Sequence, residues 1–160
     1  MNIKQALFAL LCALSFAAFA ADLPPAFTDD FDAAKKRAAK EGKLILADFT
    51  GSGWCVWCKR LDDEVFRDPS FAPAVTNDLV LVTLDSPGKN RHPLVKRYDV
   101  HMFPTVLVLD PSGGVLAQTG YRKGGASAYV DHLKKTVLPA ARKRREEGKA
   151  EADASNMPWL

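Results

Sequence analysis

The chain has 160 residues, 48% hydrophobic and 26% charged, which is enough apolar material for one globular domain with a core. The mixture is too ordinary for a disordered, collagen-like or coiled-coil chain. Lys and Arg number 22 against 19 Asp and Glu, so the net charge of +3 argues for no nucleic-acid partner, and three cysteines are too few to staple a small scaffold.

Lys4 is followed by an uncharged run from Ala6 to Ala20 through Leu7, Phe8, Leu10, Leu11, Leu14, Phe16 and Phe19. The run closes on Ala18-Phe19-Ala20, with Asp22 just beyond. A charged start, an apolar stretch of ~15 residues and an A-x-A site predict a secretory signal peptide over residues 1–20. A membrane anchor fits less well, because a span needs ~20 apolar residues. Cys12 follows Leu10 and Leu11 instead of the small residues a lipidation site requires. The mature chain then holds only Cys55 and Cys58, in a periplasmic export compartment where disulfides form. A domain is expected over 21–147 and a mobile tail over 148–160.

Leu23-Pro24-Pro25 makes a stiff lead-in, and Thr28 is positioned to cap a helix running to about Glu41, with Gly42 ending it. Leu44 to Phe49 reads as a strand buried on both faces, and Thr50-Gly51-Ser52-Gly53 as a turn. Helical spacing returns from Cys55 to Phe66, and a short helix is expected around Ser70 to Thr76. Leu79 to Leu84 is a second buried strand, and His92 to Tyr98 a helical turn or two opened by Pro93. Thr105 to Leu109 and Val115 to Gly120 flank the hairpin turn Asp110-Pro111-Ser112-Gly113-Gly114. A last helix, capped by Ser127 and kinked at Pro139, should reach Glu147. This order predicts an α/β fold: a central mixed β-sheet, parallel early and antiparallel late, flanked by helices on both faces.

The segment Gly53-Trp54-Cys55-Val56-Trp57-Cys58-Lys59 sets C-x-x-C at a helix start after a strand. The free amides and dipole there favour a thiolate at Cys55, and Cys58 follows on the same face one turn inward. Cys55 would attack a partner disulfide and Cys58 would resolve the mixed disulfide. A static bridge and half of a metal site are the alternatives. The first does little for stability in so small a loop, and for zinc the mature chain offers only His92, His101 and His132 besides the two cysteines. His132 is expected to face solvent.

Ala47-Asp48-Phe49, the W-C-V-W-C-K run and Phe103-Pro104-Thr105 about 45 residues after Cys58 together resemble the thioredoxin superfamily. The pattern is similar to that of exported bacterial members such as the C-terminal reductase domain of DsbD. The likeness spans roughly Phe31 to Leu138. It implies that Phe103-Pro104 is a cis peptide beside the disulfide, exposing a backbone edge on which a partner can dock. It also implies that Asp48 is a buried acid behind the second cysteine, with a raised pKa, able to take the Cys58 proton. A strand-end Asp48 facing water and a proline merely opening a strand are the plainer readings. Three departures stand out. The turn before Cys55 is one residue longer than usual, no lysine in Leu79 to Asp85 partners the acid, and Trp57 replaces the usual proline.

Val56 and Trp57 add no charge between the cysteines, which favours a reductant or exchange catalyst over a primary oxidase. Trp54, Val56 and Trp57, with Phe103, Pro104 and Thr105, are the candidate substrate-binding residues; Trp57 serves packing equally well. The expected function is an exported thiol:disulfide oxidoreductase without a cofactor. It would act on cysteine-containing exported proteins and draw electrons from a membrane-bound donor, and no nucleic acid is involved. The competing class is a docking or Cu(I)-binding module that uses Cys55, Cys58 and His101. Arg142 to Arg145, followed by Glu146 and Glu147, reads as a solvated helix end.

Overall fold

A computed structural model describes Pro24 and residues 26–155. The signal-peptide call therefore lies outside the described residues, as do Asn156 to Leu160. The first described element is one the sequence pattern does not announce. Phe27–Thr28 (β1) pairs in parallel with the strand Leu79–Asp85 (β3), placing Phe27 beside Leu81. Thr28 is thus strand, and Asp30 caps the first helix, Phe31–Glu41 (α1), accepting from the Ala33 amide at 2.8 Å. Gly42 ends α1 in the left-handed conformation at φ 68°.

Leu44–Thr50 (β2) pairs in parallel with β3 and antiparallel with Thr105–Leu109 (β4). Val115–Thr119 (β5) is antiparallel to β4, giving the order β1-β3-β2-β4-β5. This is the mixed sheet expected from the order of elements. Val56–Leu61 (α2) continues through a π-helical turn at Asp62–Phe66, and Phe71–Val75 (α3) follows. Pro93–Arg97 (α4) links β3 to β4.

Two apolar clusters sandwich the sheet. On one face Ile45, Ala47, Phe49, Val82 and Leu107 pack with Phe31, Ala34 and Ala38 of α1 and Val95 of α4. On the other, Leu44, Leu46, Leu81 and Val106 pack with Leu61, Phe66, Phe71 and Tyr129. Strand alternation assigns Asp48 to this second face, in line with Leu44 and Leu46.

The last helix differs from expectation at both ends. Gly125–His132 (α5) starts at glycines with positive φ instead of a Ser127 cap. A π-helical turn at Leu133–Val137 precedes Leu138–Ser155 (α6), so the irregularity falls one turn ahead of Pro139, where the missing proline N–H and its ring disturb the ladder. The helix passes Glu147 and runs to Ser155, so residues 148–155 of the expected tail are helical. Ala, Glu and Lys in this stretch favour helix, Lys143 and Glu147 pair at 3.7 Å, and one glycine at 148 does not stop it.

Candidate active site

One end of the sheet gathers the chemistry. β2 and β3 end there, β4 begins there, and β5 ends there, since Phe49 pairs with Thr105 and Val106 with Thr119. Cys55 is the N-cap of α2, in extended conformation, and its Sγ accepts from the Cys58 amide at 3.1 Å. The two cysteines form a disulfide with Cα atoms 5.2 Å apart. Both cysteines are buried, Cys55 slightly less so at 9% exposure against 4% for Cys58.

The Phe103–Pro104 peptide is cis. Thr105 Oγ1 donates to the Met102 carbonyl at 2.8 Å, closing the turn into β4. Trp54 ties this turn to its neighbours. Its indole ring lies 5.4 Å from Phe103, centroid to centroid, and its Nε1 donates to the Ser86 carbonyl at 2.9 Å. Gly51 makes room for that ring, because a methyl group there would run into the indole. Trp57, on the other side, is half-exposed, 5.3 Å from Tyr121, with the Arg60 guanidinium 5.1 Å over its ring. Val56 and Met102 are exposed apolar side chains at the same end.

Asp48 is buried, and its Oδ1 has no hydrogen-bond partner among the described residues. Burial, then the carboxylates of Asp62 and Asp85, push its pKa up to about 8. The extra residue in the preceding turn does not separate it from the disulfide. Asp48, Thr83, Asp62 and Asp85 line the same cleft of about 680 Å³ as Cys55 and Cys58. Thr83 stands in register with Asp48 on β3, and its buried Oγ1 also lacks a partner, as does Asp62 Oδ1. Asp62 Oδ2 accepts from Arg67 Nε at 2.6 Å, and the Ser52 amide donates to Asp85 at 2.8 Å.

Sequence reasoning did not single out Asp62, Thr83, Asp85, Ser86 or Tyr121. Asp62 carried a usable signal, four residues after Cys58 and so on the same helical face. Ser86 carried none, since its part is played by a backbone carbonyl. His101 is exposed and pairs with Asp99 at 2.9 Å. Among the described residues no group of three His, Cys, Asp or Glu side chains could hold a metal ion, so His101 is not brought together with the cysteines. His132 is half-buried, its Nε2 3.2 Å from Thr119 Oγ1, a correction to the solvent-facing expectation that follows from β5 packing beside the last helix.

The thioredoxin-like family model matches residues 26–111. The chain belongs to the thioredoxin-like family. Disulfide bond reductase DsbH of Chlamydia pneumoniae is 30% identical over 118 residues, covering 68% of this chain and 71% of the relative. A solved DsbH oxidoreductase superposes with TM-score 0.62 at 29% identity, over 75% of this chain and 90% of that one. The reduced C-terminal domain of DsbD from Neisseria meningitidis shares the fold at 23% identity and TM-score 0.53, over 68% of this chain and 97% of that one. The chain spans less than a quarter of the plant protein disulfide-isomerases it also matches. With the Cys55–Cys58 pair in place, this thioredoxin-like chain is a thiol:disulfide oxidoreductase.

Proposed function

We propose that this chain is an exported disulfide reductase, in which Cys55 attacks and Cys58 resolves. The Cys55 thiolate attacks one sulfur of a client disulfide, forming the mixed disulfide and releasing one client sulfur as a thiolate that takes a proton. Cys58, deprotonated by Asp48, then attacks Cys55 Sγ. The Cys55–Cys58 disulfide forms, the second client thiol leaves, and two electrons have passed to the client. A protein dithiol must return the pair to its reduced form. A membrane-bound donor suits that need, because an export compartment is kept oxidising.

The observation that carries the direction is the pair of residues between the cysteines: Val56 and Trp57 are uncharged, exposed apolar side chains. The cleft behind them is mixed in charge, since Lys59 and Arg67 line it with Asp62 and Asp85, and Asp62 is paired with Arg67. With no cation between the two sulfurs, the thiolate of the reduced form is less stabilised and the dithiol gives up electrons more readily. Export is supported by the apolar run ending at Ala18-Phe19-Ala20, and the reductase direction also by the likeness to DsbH. The Phe103–Pro104 turn that leads into β4, with exposed Met102 beside it, is where the client strand would dock.

Equilibration of the residue 21–160 chain in dithiol buffers, with thiol trapping, measures the couple. A potential near about −270 mV or lower is expected. A value near about −120 mV would make the chain an oxidant and sink the assignment.

A further inference from the structure

Two aromatic pairs flank the disulfide, one toward β3 and one toward β5. Trp54 with Phe103 is held on the β3 side through Ser86, and Trp57 meets Tyr121 just beyond the end of β5. Each pair carries one arginine. The Arg91 guanidinium lies 5.5 Å over the Phe103 ring, and that of Arg60 lies 5.1 Å over Trp57. Both arginines are exposed, and neither forms an ion pair with a carboxylate among the described residues, although Arg60 also reaches the Tyr121 hydroxyl. The acids next to Arg60 are otherwise engaged: Asp63 with Lys59 at 2.7 Å and Glu64 with the Tyr121 hydroxyl at 2.7 Å.

A guanidinium held over a ring is attracted by the ring face and still has N–H donors to offer a further partner. Those donors match a carboxylate, and the ring restrains the side chain, so little rotamer freedom is lost when the pair forms. The exposed apolar surface of Trp57, Val56 and Met102 lies at this same end of the sheet. Resting on the reductase reading above, we propose that the client is a cysteine-bearing segment with acidic residues on both sides of its reactive sulfur, one for Arg91 and one for Arg60.

Three short peptides cyclised by one disulfide, flanked by Asp, Ser or Lys, test this against hydroxyethyl disulfide as an uncharged reference. The reduced wild-type chain should react with the Asp peptide about fivefold faster than with the Ser peptide, the preference that two exposed charge pairs supply. The Lys peptide should be slower than the Ser peptide. In the Arg60→Gln/Arg91→Gln double variant the Asp-to-Ser ratio should fall to about one, and about 1 M salt should collapse it in the wild type. Equal rates for the three peptides in the wild type, with hydroxyethyl disulfide still reduced, would overturn the acidic-client proposal and leave the reductase reading standing. No reduction of hydroxyethyl disulfide would remove the reductase reading and this proposal with it.

Discussion

The two faces of the sheet are built to opposite rules, and β2 shows it within seven residues. Ile45, Ala47 and Phe49 point to the face covered by α1 and α4, where their partners are aliphatic or aromatic. Leu44 and Leu46 begin the other face in the same way, and then Asp48 interrupts it, in register with Thr83 and above a cleft that reaches Cys58. One face stabilises; the other gives up packing for buried polar atoms that have no hydrogen-bond partner among the described residues. Unpaired buried groups cost stability, so their concentration behind a reactive disulfide marks where the fold has been spent on chemistry.

Changes on the two faces should therefore separate stability from activity. The largest effect is expected from Phe49→Ala on the α1 face. Phe49 is fully buried against Tyr98, at 5.8 Å between ring centroids, and truncation should cost about 3–5 kcal/mol. Chemical denaturation should show that loss, while disulfide exchange per folded molecule stays near wild type. A cost below about 1 kcal/mol would mean that this face tolerates voids and that the contrast is false.

Asp48→Asn should act in the reverse sense. A carboxyl raised to about 8 in the folded chain and ordinary when unfolded holds its proton longer in the native state. Between about pH 4 and about pH 8 the folded form binds more protons, so stability falls as pH rises, by up to about 1.4 kcal/mol per pH unit, and levels off above. The Asn variant should lose that slope and be the more stable form at the alkaline end, while its exchange rate drops roughly tenfold and loses its pH inflection. Urea midpoints across the range read the slope. A slope that survives the substitution would assign it to another group and remove Asp48 from the proton path.

How much of this was legible beforehand follows the same division. β2, β3 and β4 announce themselves because strands buried on both faces read as unbroken apolar runs, and C-x-x-C and Phe103-Pro104, read together in the sequence, lie at one end of the sheet. β1 is silent because two residues carry no period, so the chain looked like a cap at Thr28 when Asp30 supplies it. The cleft was half visible. Asp48 stands out as a lone acid in an apolar strand, whereas Asp62 and Asp85 look like ordinary helix and strand-end acids until the fold turns them toward it. The tether from Trp54 to Ser86 depends on a carbonyl, which every residue has.

That tether gives the smaller test of the contrast. Trp54→Phe keeps a ring near Phe103 but removes the Nε1 donor to Ser86, a loss of about 1 kcal/mol. Gly51→Ala leaves the hydrogen-bonding groups intact and instead pushes on the indole ring. If Trp54 holds the Phe103–Pro104 turn for docking, both variants should raise KM for a disulfide-bearing peptide about threefold to fivefold at nearly constant kcat, since about 1 kcal/mol of lost positioning is of that size. Equal losses in kcat and in kcat/KM would instead place Trp54 at the transition state of exchange, and the rim on this side of the disulfide would then be part of the chemistry, not of recognition.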